Sequence, residues 1–169
     1  MQLTRVYAGL FTKPIHMTTL YSLLPDAVAT ITADSKQAIL EALAERFARV
    51  YELEASEVLE RIEEREKLGS TGFGRGVAIP HARVPGLKRP VAVFLRLENS
   101  VEFAAADGMP VDLVFGLLSP ENAGASHLQA LAAISRMVRD ETLHAALSDA
   151  KDKEALFALL TNVIDRDAA

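Results

Sequence analysis

Cysteine and tryptophan are absent from this sequence of 169 residues, and only 6% of its residues are aromatic. Without cysteine the chain has no disulfide, no thiolate zinc site, no iron–sulfur cluster and no cysteine nucleophile. Chains of this length typically bury about 70% of their unfolded surface. Because half of the residues are hydrophobic, we expect a sizeable core that needs no covalent or metal staple.

The sequence also lacks an excess of positive charge and a long apolar run. It carries 18 Lys and Arg against 23 Asp and Glu, a net charge of −5 at pH 7. A general nucleic-acid-binding face needs the opposite sign, so we expect no nucleic-acid partner. No apolar run approaches the ~20 residues that span a bilayer, and residues 1–24 make a poor signal peptide. We therefore predict a cytoplasmic protein without membrane insertion.

The periodicity of the sequence changes near residue 17. Residues 1–17 show no clear pattern, and we predict an N-terminal extension of uncertain origin there. Residues 18–165 contain no internal repeat and no low-complexity linker, which predicts one domain.

Hydrophobic spacing predicts helices at both ends of this domain and strands between them. Residues 28–32 are typical of a short strand, Asp34 of a helix N-cap, and residues 56–67 of a second helix. Three apolar strands follow, at residues 77–79, 91–97 and 111–118, and then a helical tail over residues 126–164 that breaks near residues 139–140 and 150–152. This order predicts an α/β fold in which a mixed β-sheet is flanked by helices on both faces, a single-domain sandwich.

A glycine-rich segment, Gly-Ser-Thr-Gly-Phe-Gly-Arg-Gly, occupies residues 69–76. Four glycines in eight residues indicate a tight turn or a close approach of the backbone. A Walker loop would end in Gly-Lys-Ser/Thr before a helix, and a dinucleotide loop would join a strand to a helix. Here the segment follows a helix and leads into Val-Ala-Ile-Pro, so the context argues against both nucleotide-binding motifs.

His81 follows Pro80 at the predicted end of the strand after this loop. A neutral imidazole at such a position can act as a nucleophile at pH 7, since its ordinary pKa is about 6.5. A lone histidine is more often structural. The glycine loop before it, Arg83 after it and Arg65 upstream favour a functional role here.

His127 opens a predicted helix with Ser126 as its cap, near the amides that favour anions. His16 and His144 carry less information. The spacing of His81 and His127 does not fit a zinc site, and the nucleophile elbow of a hydrolase is absent. A two-histidine phosphoryl site, with a nucleophile, a hydrogen-bond donor and nearby arginine, uses every unusual feature.

Two sequence blocks carry a family resemblance. Residues 65–81 read Arg-Glu-Lys-Leu-Gly-Ser-Thr-Gly-Phe-Gly-Arg-Gly-Val-Ala-Ile-Pro-His, and a second block covers residues 101–120 with Ser126-His127-Leu128 after it. Together they resemble the enzyme IIA domain of the fructose/mannitol class of the bacterial phosphotransferase system. The similarity is strongest to the stand-alone nitrogen-regulatory type, and it extends from about residue 20 to residue 163.

The resemblance implies a phosphohistidine carrier, a phosphotransferase that needs no cofactor and no metal. An HPr-type protein would donate a phosphoryl group derived from phosphoenolpyruvate, and His81 would accept it on Nε2. His127 would hydrogen-bond the phosphoryl oxygens, and Arg65 would pair with their charge. The output would be regulation of target proteins according to phosphorylation state. Two alternatives stay open: a sugar-transport component that passes the group to a IIB domain, and a non-catalytic interaction module.

Overall fold

The computed structural model describes residues 20–168, in which one strand and two helices are followed by five strands and then by three helices. A short 3-10 turn at Pro25–Ala27 precedes the first strand. The elements that follow are β1 (Val28–Ile31), α1 (Lys36–Tyr51), α2 (Ala55–Lys67), β2 (Gly72–Gly74), β3 (Val77–Ala78), β4 (His81–Val84), β5 (Val91–Val101), β6 (Val111–Pro120), α3 (Ala125–Val138), α4 (Glu141–Asp149) and α5 (Lys153–Ala168).

The strands form one mixed sheet in the order β1-β5-β6-β3-β2, with β4 also pairing to β6. β1 runs parallel to β5, β5 antiparallel to β6, and both β3 and β4 parallel to β6. β6 is buried along nearly its whole length, and β5 is buried from Val91 to Leu97 apart from Arg96, before an exposed polar stretch at residues 98–100; buried, mainly apolar segments of this kind are expected of strands covered on both faces. The predicted mixed α/β fold is confirmed.

β3 and β4 lie one after the other along the same side of β6, with Val77 opposite Leu113 and His81 opposite Leu117. Pro80 separates them because it has no N–H to contribute to the ladder. Its carbonyl still accepts a 3.0 Å hydrogen bond from the amide of Leu117. The chain is therefore held against β6 through the interruption, and this fixes where His81 begins β4.

α1 covers one face of the sheet with a stripe of apolar residues at helical spacing. Gly116 of β6 lies directly beneath it, and a Cβ there would come within 2.8 Å of Leu43 and 2.9 Å of Phe47. The predicted N-cap, Asp34, is wrong by one residue: Ser35 caps α1, its side chain accepting a 3.1 Å hydrogen bond from the amide of Ala38. Both residue types offer a suitable oxygen, so the sequence did not separate them.

The C-terminal helices cover the opposite face. Met137 of α3, Leu143 of α4 and Leu160 of α5 line a small apolar cavity against Phe94 and Phe115 of the sheet. Helices therefore flank the sheet on both faces, as predicted. The breaks between α3, α4 and α5 also fall where the sequence placed them.

Two local expectations differ from the structure. The glycine-rich segment contains a short strand, β2, that pairs antiparallel with β3. Ser126 does not cap α3: the N-cap is Gly124, and the Ser126 hydroxyl donates to the carbonyl of Ala123 at 2.8 Å. The predicted extension at residues 1–17 lies outside the described residues, and the domain division stays a prediction.

In the described part of the chain, no helix combines the length and the apolar character needed to cross a bilayer. The cytoplasmic location stays a prediction.

Candidate active site

An open cleft of about 390 Å³ surrounds the edge strand β4. Among the described residues β4 pairs with β6 alone, so its other side is free to border a cavity. The end of α2 forms one wall and the beginning of α3 the other. The lining residues are Arg61, Glu64, Arg65, Leu68, His81, Ala82, Arg83, His127, Leu128 and Leu131.

The three residues that the sequence singled out for chemistry, His81, His127 and Arg65, all line this cleft. The two imidazole rings lie 5.8 Å apart between centroids, with their planes inclined by 42°. Sequence reasoning placed His81 just beyond a strand end, in a loop. The structure shows it instead as the first residue of β4, because pairing with β6 resumes after Pro80.

The hydrogen bond of His81 determines which of its nitrogens is free. Its Nδ1 lies 2.7 Å from the carbonyl oxygen of Ile79. A carbonyl only accepts, so Nδ1 carries the proton and Nε2 keeps an unshared electron pair. Burial lowers the pKa of His81, and the positive charges of Arg65 and Arg83 lower it further against the opposing effect of that hydrogen bond. The ring is therefore neutral at neutral pH, and the free electron pair of Nε2 can act as a nucleophile.

His127 is held by a different partner. Its Nδ1 lies 2.7 Å from the hydroxyl of Ser119, which is fully buried at the end of β6. When that hydroxyl donates to Nδ1, the proton of the neutral ring sits on Nε2, and Nε2–H becomes a hydrogen-bond donor. Burial, together with the charges of Arg83 and His81, lowers the pKa of His127 to about 4. Sequence reasoning missed Ser119, since it lies in an apolar strand without a motif.

The depressed pKa of His127 predicts a loss of stability in acid. Above pH 6.5 the ring is neutral in both the folded and the unfolded chain. Below pH 6.5 the unfolded chain takes up the proton first, so the free energy of unfolding falls as the pH drops from 6.5 towards 4. We expect His127 to lower the free energy of unfolding by about 2 kcal/mol over this range, after allowing for screening at an open cleft. Urea unfolding at several pH values measures this, and H127Q should flatten the slope. Equal slopes in both proteins would contradict the prediction.

Arg65 connects the end of α2 to the glycine-rich loop. Its Nη1 donates a 2.9 Å hydrogen bond to the carbonyl of Gly69, and its positive charge lowers the pKa of His81. The positive charge of Arg83 lowers the pKa of both His81 and His127. The cleft therefore combines an imidazole nitrogen that has a free electron pair, a second imidazole, and the cations Arg65 and Arg83, an arrangement suited to an anion such as a phosphoryl group.

A buried carboxylate holds the glycine-rich loop in place. Glu66 accepts hydrogen bonds from the amide and the hydroxyl of Thr71 and forms an ion pair with Lys36 at 2.8 Å. The Lys36 ammonium also lies 4.6 Å from the centre of the Phe103 ring. In turn, the carbonyl of Thr71 accepts a 2.9 Å hydrogen bond from the amide of Ile79. The loop is thus linked to the residue whose carbonyl orients His81.

Of the other histidines, only His144 lies among the described residues, and it does not line the cleft. His144 of α4 lies 3.2 Å through Nε2 from a carboxylate oxygen of Asp112, and His16 lies outside the described residues. Over residues 20–168, no group of three or more His, Asp or Glu side chains is arranged to hold a metal ion.

Fold and cleft together define a class: a mixed α/β sandwich in which two histidines and several arginines line a cleft at an edge strand. The chain belongs to the family described as "Phosphoenolpyruvate-dependent sugar phosphotransferase system, EIIA 2", whose sequence model matches residues 23–163. Members of this family carry phosphoryl groups between proteins. The family predicted from the sequence is confirmed.

Three relatives show how the chain is placed within the family. It is 42% identical over 137 residues to a "Nitrogen regulatory protein" of Bradyrhizobium diazoefficiens, covering 80% of this chain and 90% of the relative. The crystal structure of Nitrogen Regulatory Protein IIA-Ntr from Neisseria meningitidis is 36% identical, with a TM-score of 0.76 and coverage of 82% and 95%. A fructose-specific EIIA component of Haloferax volcanii is 35% identical over 107 residues, covering 63% of this chain and 70% of the relative.

Proposed function

We propose that this protein is a phosphohistidine carrier that accepts a phosphoryl group on Nε2 of His81 from an HPr-type donor. One observation carries the proposal: the Ile79 carbonyl occupies Nδ1 of His81, which leaves Nε2 as the basic nitrogen in a cleft lined by His127 and Arg65. In the transfer, the Nε2 electron pair attacks phosphorus and a new N–P bond forms. The donor's bond to phosphorus breaks and its electron pair returns to the donor side chain, so no proton has to move.

The other site residues stabilise the transferred group. Nε2–H of His127 donates to a phosphoryl oxygen, while Ser119 holds its ring in the donor form. The guanidinium of Arg65 pairs with the phosphoryl charge. Because His127 stays neutral well below pH 7, it donates a hydrogen bond without contributing a full positive charge that would trap the phosphoryl group.

The borders of the cleft suit a protein donor. Leu68 at the end of α2 is 85% exposed and Leu128 at the start of α3 is 63% exposed, on opposite walls. Their apolar side chains offer contact area to a partner protein on both sides of the reactive centre.

Replacing Leu68 by aspartate tests this contact. We expect L68D to lower the rate of phosphorylation by the donor about tenfold, since a single apolar contact at an interface is worth on the order of 1–2 kcal/mol. Its unfolding in urea should match that of the parent protein. The matched control is M109D: Met109 is 51% exposed and does not line the cleft. Equal rates for L68D and the parent would contradict the role of this surface.

The regulatory branch is our preferred interpretation of the output. The relative that is 42% identical carries a nitrogen-regulatory name, and the fructose-specific relative covers less of this chain. Target proteins would then bind according to the charge on His81, which changes by up to about two units on phosphorylation. Presenting the phosphorylated protein to a fructose-type IIB domain tests this choice. Efficient transfer to the cysteine of that domain would favour the transport function.

Phosphoenolpyruvate-driven labelling with purified general phosphotransferase proteins tests the carrier function itself. We expect a mass gain of one phosphoryl group that requires every upstream component, is lost in acid and persists in base. The 31P NMR signal should be that of an Nε2-phosphorylated histidine. No mass gain would favour the non-catalytic module, and a phosphoryl group on Nδ1 would contradict the assignment of the nucleophilic nitrogen.

A further inference from the structure

A third arginine lines the cleft, and the phosphoryl transfer described above does not use it. Arg61 lies four residues before Arg65 on α2, so both side chains project from the same face of the helix. Its Nη2 lies 2.8 Å from a carboxylate oxygen of Glu121, and Glu57 on its own helix is farther, at 3.9 Å. Arg61 is therefore a cation that borders the proposed phosphoryl site and already forms an ion pair.

The position of Glu121 gives this pair its importance. Glu121 immediately follows β6, which supplies Ser119, and precedes α3, which supplies His127. The ion pair thus bridges α2 to the β6–α3 connection beside the cleft. Both side chains of the pair are partly exposed, at 36% for Arg61 and 53% for Glu121. Exposed pairs of this kind are weak because water competes with both partners.

A phosphoryl group on His81 is a stronger partner for a guanidinium than one exposed carboxylate. It carries up to about two negative charges and offers three acceptor oxygens, and arginine binds such groups through two parallel hydrogen bonds. The same negative charge repels the Glu121 carboxylate.

We propose that Arg61 exchanges partners with the phosphorylation state of His81, an inference that rests on the proposed function. In the unphosphorylated protein Arg61 pairs with Glu121. In the phosphorylated protein Arg61 turns to the phosphoryl oxygens and leaves Glu121 as an unpaired negative charge on the β6–α3 connection. Phosphorylation of His81 thereby changes the charge that Glu121 presents beside the cleft, where a partner protein can contact this residue.

The exchange equilibrium of the phosphoryl group between an HPr-type donor and this protein measures the effect. We expect R61Q to shift the equilibrium about fivefold towards the donor and E121Q to shift it about threefold towards this protein, as for partly exposed charge pairs. In the double variant R61Q/E121Q, the effect of E121Q should fall below half its value, because Glu121 acts mainly by competing for Arg61.

The Lys153–Asp26 pair provides matched controls. It is a 2.9 Å exposed ion pair between α5 and the turn before β1, and neither residue lines the cleft. K153Q and D26N should leave the exchange equilibrium unchanged. A wild-type equilibrium in R61Q, or an E121Q effect of the same size with and without Arg61, would overturn the partner exchange while the carrier function stands. Absence of exchange in the wild-type protein would overturn the carrier function and this inference with it.

Discussion

Replacing His81 by alanine abolishes phosphoryl acceptance: we expect labelling of H81A from the phosphorylated donor to fall to background. The variant removes Nε2 of His81, a nitrogen with a free electron pair that lies in the arginine-bearing cleft. His127 does not substitute for it, because its ring carries its proton on Nε2 when Ser119 donates to Nδ1. Mass spectrometry of the intact protein after incubation with phosphoenolpyruvate and the general proteins gives the readout.

Two further variants make this result specific to His81. H144A removes an imidazole that bonds to Asp112 outside the cleft, and it should label like the parent protein. H127A keeps the nucleophile and should still label, but about 10²-fold more slowly, the usual cost of losing one donor to a developing phosphoryl charge. Normal labelling of H81A would show that the nucleophile has been assigned wrongly.

Replacing Gly72 by alanine, which adds a single methyl group, is the second change with a large expected effect, here on the stability of the fold. A Cβ at this position would lie 2.7 Å from both the Cα and the Cβ of Ala105. Backbone cannot move aside as the end of a long side chain can, so β2 and the glycine-rich loop must shift. We expect G72A to lower the free energy of unfolding by about 3 kcal/mol, the upper range for overpacking, as measured by urea denaturation.

Gly116 offers the contrast, since its nearest neighbours are the ends of the Leu43 and Phe47 side chains, at 2.8 and 2.9 Å. These neighbours are ends of side chains and not main chain, so G116A should cost less than G72A, about 1–2 kcal/mol. Combining G72A with A105G removes the clash with the methyl group of Ala105 but leaves the clash with the main chain there, and should restore only part of the lost stability. Equal costs for G72A and G116A would contradict the distinction between backbone and side-chain neighbours.

Displacement of the loop at Gly72 should also reach the active site. Thr71 is bound to Glu66 on one side and to the amide of Ile79 on the other, and the Ile79 carbonyl orients His81. The folded fraction of G72A should therefore accept the phosphoryl group more slowly than the parent protein does.

Much of the fold followed from local sequence patterns. The continuous apolar runs predicted β5 and β6, and the 3.6-residue periodicity predicted α1, α2 and the three helices of the tail. The association of His81, His127 and Arg65 in one cleft was also predicted, because the family resemblance relates positions that are distant in sequence but close in space.

Other features depend on tertiary interactions that carry no local signal. β2 and β4 are only three and four residues long, and they exist as strands because β3 and β6 pair with them. Ser119 is notable only through its 2.7 Å hydrogen bond with a histidine eight positions away. The Lys36–Glu66 ion pair joins two helices across a loop, and neither residue stands out among the other charged residues of α1 and α2.

The orientation of His81 and that of His127 depend in different ways on substitutions at neighbouring residues. His81 is oriented by a main-chain carbonyl, which every amino acid at position 79 supplies, so no side-chain substitution there deletes the acceptor. His127 is oriented by the hydroxyl of Ser119, which a single substitution removes. The tautomer of His81 therefore does not depend on the side chain at position 79, whereas a single substitution at position 119 would alter the tautomer of His127 and, on the proposed function, how strongly it stabilises the phosphoryl group.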